Sequence, residues 1–237
     1  MNIINGISRF FVNGFKTTFI DENRYELFLK GIGNTILTAL FATLVGIAIG
    51  ALIAVIKTIH KQNGRKLRIL NAIAEAYTTI IRGTPVVVQL LIMYNIIFRW
   101  STHPVLVGIA AFGINSGAYV SEIIRAGINA VDIGQTEAGR SLGLSGSTTM
   151  SKIVIPQAVK NVLPAIGNEF ISLLKETSII GYLGVLDITK AAERIISRTA
   201  NVYFPYISIA LMYLAMVLVM NYFVKKLERR LAKSDRN

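Results

Sequence analysis

The sequence contains no cysteine among its 237 residues, so disulfide bonds and thiolate metal sites are excluded. It has only two histidines, His60 and His103, and no catalytic acid–base–nucleophile set can be built around them. A G-x4-G-K-[ST] phosphate-binding loop is also absent, and "GLSGS" does not have the G-x-S-x-G spacing of a nucleophile elbow. The chain is therefore not expected to be an enzyme or to hydrolyse a nucleotide itself.

Acidic residues are scarce: 13 Asp and Glu stand against 25 Lys and Arg, for a net charge of +12. Such a charge could indicate nucleic-acid binding, but its distribution argues against that function. Residues 57–68 hold five basic residues and no acid, and residues 225–237 hold six against two. Each group follows a long apolar run, which is the positive-inside pattern of a membrane protein and places both groups in the cytoplasm.

Apolar residues make up 53% of the chain, and the mean hydropathy is +0.54. Residues 31–56 and 204–224 are uncharged and long enough to cross a hydrocarbon core of roughly 30 Å. Three further apolar segments are interrupted by charge or proline. We therefore predict an all-α polytopic membrane protein with five transmembrane helices, starting near residues 31, 70, 105, 157 and 204.

Five spans with residues 57–68 inside place the C-terminus in the cytoplasm and the N-terminus outside. Residues 1–30 are predicted to form an external amphipathic segment, although a plain tail fits equally well. Residues 31–226 form the transmembrane domain and residues 227–237 a basic cytoplasmic tail. The same topology makes residues 129–156 a cytoplasmic loop and predicts an external amphipathic helix within residues 186–203.

The cytoplasmic loop contains a turn-rich stretch, "EAGRSLGLSGSTTMSKIVIP", at residues 137–156. Two short helices are expected there. Gly143 suits the left-handed residue that ends the first, and Ser145 or Ser147 can cap the second. Pro156 fits the first turn of the next helix. Length and polarity alone would also allow an ordinary loop.

This stretch resembles the EAA motif of ABC importer permeases, E-A-A-x3-G-x9-I-x-L-P, with departures only at Gly139 and Ile155. Other segments, such as "RGTPVVVQLLIMYN" and "NSGAYVSEIIRAGI", resemble the branch that serves histidine, arginine, glutamine and cystine. The resemblance implies a type I importer fold in a prokaryotic plasma membrane, with the loop acting as a coupling helix. The residues implied to dock on the ATPase are Glu137, Ala138, Gly139, Arg140, Leu142 and Gly143.

The resemblance also implies partners: a cytoplasmic ATPase dimer that binds the ATP, a second permease subunit, identical or related, and an external amino-acid-binding protein. The permease itself, embedded in membrane lipid, would bind no cofactor. Coupling by ATP hydrolysis would drive alternating access. Two rival functions remain: a secondary transporter driven by an ion gradient, and a membrane scaffold that transports nothing.

Polar residues within membrane spans are costly and commonly face a cavity or one another. Residues 82–85 are predicted to break the second helix at Pro85. A midplane substrate cavity is predicted, with carboxylates that hold an ammonium group or a cationic side chain. Its predicted lining is Thr84, Gln89, Asn115, Glu122, Asn168, Glu169 and Ser172. The alternative is that Glu122 merely pairs with Arg125, and Lys175 with a nearby carboxylate.

Overall fold

The computed structural model describes residues 10–63 and 66–233, and every regular element in that part of the chain is helical. This confirms the all-α class. The helices are α1 (Tyr25–Asn63), α2 (Arg68–Gly83), α3 (Val86–Ile92), α4 (Pro104–Asn129), α5 (Ile133–Ser141), α6 (Gly146–Thr149), α7 (Ile155–Glu176), α8 (Ile188–Thr199) and α9 (Tyr203–Lys233). A π-helical turn, Met93–Ile97, extends α3, and another, Met150–Val154, precedes α7. A 3-10 segment, Thr177–Leu183, follows α7.

Helices α1 and α4 pack against each other along most of their length, and glycines make the approach possible. A Cβ atom at Gly50 of α1 would lie 2.7 Å from the Val120 Cβ of α4. In the opposite direction, a Cβ at Gly117 of α4 would lie 2.7 Å from the Ile49 Cγ2 of α1. Gly46 and Gly113 are equally crowded. Small residues four apart on both helices let the backbones approach closely, which is how helices associate in lipid.

The predicted break in the second apolar segment is confirmed. Helices α2 and α3, the latter with its π-helical extension, meet at an angle of 108° across Thr84 and Pro85. Pro85 has no N–H to donate and fixes its own φ, and it disfavours helical backbone at the preceding residue. The bend makes this pair either a broken span or a re-entrant segment.

Within the described residues, α1, α4 and α9 are long and apolar enough to cross a membrane, and the α2–α3 pair is a fourth candidate. Helix α7 is not among them, because its sequence includes Lys160, Glu169, Lys175 and Glu176. It nevertheless packs against α4 and α9. The count of five spans therefore stays a prediction.

Helix α8 is amphipathic, as expected for residues 186–203, and its apolar face is fully buried. Ile188 and Ile195 pack with Phe28 of α1 in one apolar cluster. Asp187 caps the helix by accepting hydrogen bonds from the backbone N–H groups of Thr189 and Lys190. Burial raises the pKa of the Asp187 carboxyl, although these bonds oppose the shift.

The first and last long helices, α1 and α9, are both longer than the sequence predicts. Helix α1 already begins at Tyr25, and α9 continues to Lys233 through much of the basic tail. Residues 1–9 and 234–237 lie outside the described part. Residues 10–15 are helical, and Phe10 and Phe11 are about half exposed, as an interfacial amphipathic segment requires. Their position at a membrane surface stays a prediction.

Candidate functional site

The loop between α4 and α7 folds as the sequence predicts. Helix α5 begins after Asp132, whose Oδ1 accepts a hydrogen bond from the Gly134 N–H at 2.6 Å. Gly143 follows α5 with φ +81°, the left-handed conformation that favours glycine. Ser145 then caps α6 by accepting a bond from the Thr148 N–H at 3.2 Å. Pro156 lies in the first turn of α7, so these three sequence predictions are confirmed.

The six predicted docking residues divide into an exposed set and one buried residue. Glu137, Ala138, Arg140, Leu142 and Gly143 are exposed. Leu142 is 80% exposed, a high value for a leucine, so it packs on nothing within the described chain. Gly139 is buried, because it lies against Thr149 of α6; a Cβ there would come within 2.7 Å of the Thr149 Cγ2. Gly139, which stands where the motif has alanine, thus lets α5 pack closely against α6.

One exposed residue of this surface was missed from the sequence. Ile133 begins α5 and is 74% exposed. It lies on the same helix face as Glu137 and Arg140, at positions i, i+4 and i+7. That spacing is readable in the sequence, but the resemblance to the EAA motif begins only at Glu137 and so does not include Ile133.

Three of the seven predicted cavity residues form one hydrogen-bonded cluster at the bend between α2 and α3. The Gln89 Nε2 donates to Thr84 Oγ1 at 2.7 Å and to the Ile81 carbonyl at 2.7 Å. The Asn115 Nδ2 of α4 donates to Gln89 Oε1 at 2.9 Å. The Ile81 carbonyl, which the proline break leaves without a helical donor, thus accepts a hydrogen bond from a side chain. The Asn115–Gln89 bond connects the bend to α4.

Glu169 lies next to this cluster in the fold. The Ser116 hydroxyl, one residue after Asn115 on α4, donates to Glu169 Oε1 on α7 at 2.8 Å. Glu169 and Ser172 are half-buried and Asn168 is exposed, all on α7. Ser116 was not predicted, because a serine between glycines suggests only helix packing. A neutral hydroxyl leaves the carboxylate charge available to a ligand.

The structure does not join Glu122 to that cluster. Its Oε1 accepts from Lys57 Nζ of α1 at 3.1 Å, and its Oε2 accepts from Arg125 at 2.5 Å. Lys57 also donates to the Thr78 hydroxyl of α2 at 3.0 Å. The alternative in which Glu122 pairs with Arg125 is therefore the arrangement present. The sequence indicates only that Lys57 begins a basic run on the cytoplasmic side, and nothing in that run points to Glu122 as its partner.

Arg82 is a further residue that the sequence did not single out. Its guanidinium lies 5.5 Å from the ring centre of Tyr119, a cation–π contact between α2 and α4 beside the bend. Among the described residues, no group of three or more His, Cys, Asp or Glu side chains could hold a metal ion.

Comparison with known proteins gives the family. Residues 46–233 match the family described as the binding-protein-dependent transport system inner membrane component. A glutamine transport system permease protein of Rickettsia bellii is 39% identical over 215 residues, covering 87% of this chain and 93% of its own. The arginine transport system permease protein ArtQ of Bacillus subtilis is 36% identical over 210 residues, with coverage of 87% and 93%.

Solved structures show the same architecture. An amino acid ABC transporter crystallised with histidines aligns with a TM-score of 0.82 at 41% identity, covering 90% of this chain and 98% of that one. The methionine transporter MetNI, inward facing, aligns with a TM-score of 0.73 at 15% identity, covering 87% and 97%, and so shares the fold. The chain belongs to the family of inner membrane components of binding-protein-dependent transport systems.

Proposed function

We propose that this chain carries polar amino acids through the membrane. As a member of its family, it is the permease subunit of an ABC importer, and ATP is hydrolysed on a separate subunit. The observation that carries the substrate class is the Glu169 carboxylate, which accepts a hydrogen bond from Ser116, the residue that follows Asn115 of the Gln89–Asn115 pair on α4. Relatives at 36–39% identity that serve glutamine and arginine support the same class.

The chemistry of this cluster suits a zwitterion. A half-buried carboxylate attracts the ammonium group that every amino acid carries, and low local polarity strengthens the attraction. Asn115, the residue before Ser116 on α4, and its partner Gln89 present further polar atoms. Helix α7 joins this cluster directly to the loop that holds α5 and α6. Movement of that loop would therefore change the position of Glu169 relative to Ser116. It would thereby change the access of the amino acid to this site.

We place the remaining partners by the same reasoning. The loop of α5 and α6 docks on a cytoplasmic ATPase dimer, so the C-terminus is cytoplasmic and the N-terminus external. A second permease subunit, identical or related, completes the pathway, and an external binding protein delivers the amino acid. ATP binding closes the ATPase dimer, and the docked loop turns α7 so that the substrate site alternates between the two sides.

The ATPase contact is tested at Leu142. Replacing it by aspartate is expected to weaken ATPase binding at least about tenfold, because an apolar side chain buried on docking contributes about 1.5–3 kcal/mol. Co-purification of the ATPase with the tagged permease, at graded ATPase concentrations, measures the change.

Leu142→Met is the matched control, since it keeps an apolar chain of similar volume and should retain the ATPase. Equal retention by the aspartate and methionine variants would show that Leu142 is not part of the contact. Ion-gradient-driven uptake by the permease without any ATPase would favour the secondary transporter instead.

The substrate site is tested at Glu169. Glu169→Gln keeps the shape and the bond from Ser116 but removes the charge. A hydrogen bond to a charged group contributes about 1.5–3 kcal/mol, so the apparent KM for amino-acid uptake should rise about tenfold or more. Uptake of a panel of amino acids by proteoliposomes holding the assembled importer provides the measurement.

Glu193→Gln serves as the control, because Glu193 lies on the surface of α8 and pairs only with Lys190 among the described residues. It should leave the apparent KM unchanged. If the two variants behave alike, Glu169 has a structural role and does not contact the substrate.

A further inference from the structure

An apolar groove of about 400 Å³ lies between α1, α4 and α7. Side chains from all three helices line it, among them Val55, Ile124, Val159 and Val162. The π-helical turn before α7 closes one side with Met150. Among the described residues that line the groove, none carries a charge. Its volume and apolar lining suit a flexible hydrocarbon chain.

A second cavity of about 360 Å³ adjoins the groove and has the opposite character. The two share Thr58, Ile128 and Met150 in their linings. The charged residues of the described part of its lining are Lys57, Lys61 and Arg125, with no carboxylate beside them in that lining. The pair of cavities is therefore apolar in one half and basic in the other.

Positive charge remains after the neighbouring ion pairs are taken into account. Lys57 and Arg125 share the carboxylate of Glu122, and Glu75 lines an adjoining cavity with both of them and Lys61, so three cations face two carboxylates among the described residues. Lys61 is exposed and donates only a long bond of 3.5 Å, to the Asn129 amide oxygen, among the contacts the structure gives it. The basic cavity therefore attracts an anion.

The two halves are ordered along the helices. On α1 the basic cavity reaches Lys61 and the groove reaches back to Ala51, about 15 Å at 1.5 Å per residue. On α4 the basic cavity includes Asn129 at the helix end, and the groove reaches back to Ile124. Charge therefore lies at the helix ends and apolar surface extends inward, which is the orientation of a membrane lipid.

We propose that these cavities form a binding site for one anionic phospholipid. An acyl chain fills the groove, and the headgroup phosphate lies between Lys61 and Arg125. Ser147 of α6, within the docking loop, and Met150 of the π-helical turn that joins this loop to α7 also line the groove. The lipid therefore contacts the part of the permease that moves during transport. The placement at the cytoplasmic leaflet rests on the orientation proposed above.

The test uses the full-length chain in phosphatidylcholine nanodiscs with a trace of photoreactive lipid. The reactive diazirine is on the acyl chain of either phosphatidylglycerol or phosphatidylcholine, and crosslinked peptides are identified by mass spectrometry. Phosphatidylglycerol should label residues 51–59 and 147–162 about fivefold more than phosphatidylcholine, the effect of one basic residue beside an anionic lipid. Lys61→Gln should remove most of this preference.

Matched variants separate this site from general lipid contact. Lys226→Gln removes a cation from α9, outside both cavities, and should keep the preference. Val159→Trp fills the groove and should abolish labelling there, while Leu218→Trp on the exposed face of α9 should not. Thermal unfolding of each variant verifies that it is folded.

Equal labelling by the two lipids, or equal loss with Lys226→Gln, would overturn the proposal. Inorganic phosphate, compared with chloride at the same ionic strength, should leave the preference intact; if it abolishes the preference, the basic cavity binds free phosphate and the lipid is the wrong ligand. No ATPase or amino acid is present in this assay, so its failure would be distinct from failure of the proposed function.

Discussion

Replacing Gly50 by leucine is expected to abolish recovery of a monodisperse permease. A Cβ at this position would lie 2.7 Å from the Val120 Cβ and 2.9 Å from the backbone nitrogen of Ser121. Backbone atoms of α4 cannot move aside without separating the two helices. Overpacking of this kind costs about 3 kcal/mol or more, a large part of the stability of a marginally stable protein. Size-exclusion profiles and thermal unfolding in detergent measure the loss.

Gly33→Leu in the same helix is the matched control. No atom lies within 4 Å of a Cβ built there, so this variant should elute and unfold like the unmodified protein. Both substitutions add the same apolar volume to α1 and change its helix propensity equally. If Gly50→Leu were as stable as Gly33→Leu, α1 and α4 would not be packed as closely as described.

The length and spacing of apolar runs predict most of the fold. They locate α1 and α9 because an uncharged run of spanning length has few alternatives to a membrane helix, and they locate α4 because its apolar run carries charge only near its end, at Glu122 and Arg125. The break at Pro85 follows from the missing N–H, but its angle of 108° does not, because the angle depends on side chains such as Gln89 that satisfy the freed carbonyls. Helix α7 is also predicted as a span, but its polar residues lower its hydropathy, so that assignment stays a prediction.

The docking loop is more predictable than the substrate site, for a physical reason. Gly143, Ser145 and Pro156 act on backbone within a few residues of themselves, so local sequence determines their roles. Ser116, the partner of Glu169, and Lys57, one of the two partners of Glu122, lie on other helices, at sequence distances of 53 and 65 residues. Helix periodicity tells which residues share a face, but the rotation and register of packed helices decide what that face meets.

Removing the charge of Glu122 is expected to give the second large effect, a loss of stability. Glu122→Gln leaves Lys57 and Arg125 without their shared carboxylate, and the side chain of Lys57 is only 13% exposed. Removing one partner of a largely buried ion pair leaves an uncompensated charge, and here two cations then also repel each other. The expected loss of stability is about 3 kcal/mol. A clear fall in the thermal unfolding temperature should follow, with α1, α2 and α4 loosened together because Lys57 also binds Thr78.

Glu26→Gln provides the comparison, since the Glu26–Lys30 pair is 3.9 Å apart, more than half exposed at both residues, and expected to contribute less than about 1 kcal/mol. A double variant, Lys57→Met with Glu122→Gln, should be more stable than Glu122→Gln alone, because it removes one of the uncompensated cations. If the double variant were instead less stable than Glu122→Gln, Lys57 would make a stabilising contact that does not depend on Glu122. The ion pair would then not be what joins α1 to α4 at this level.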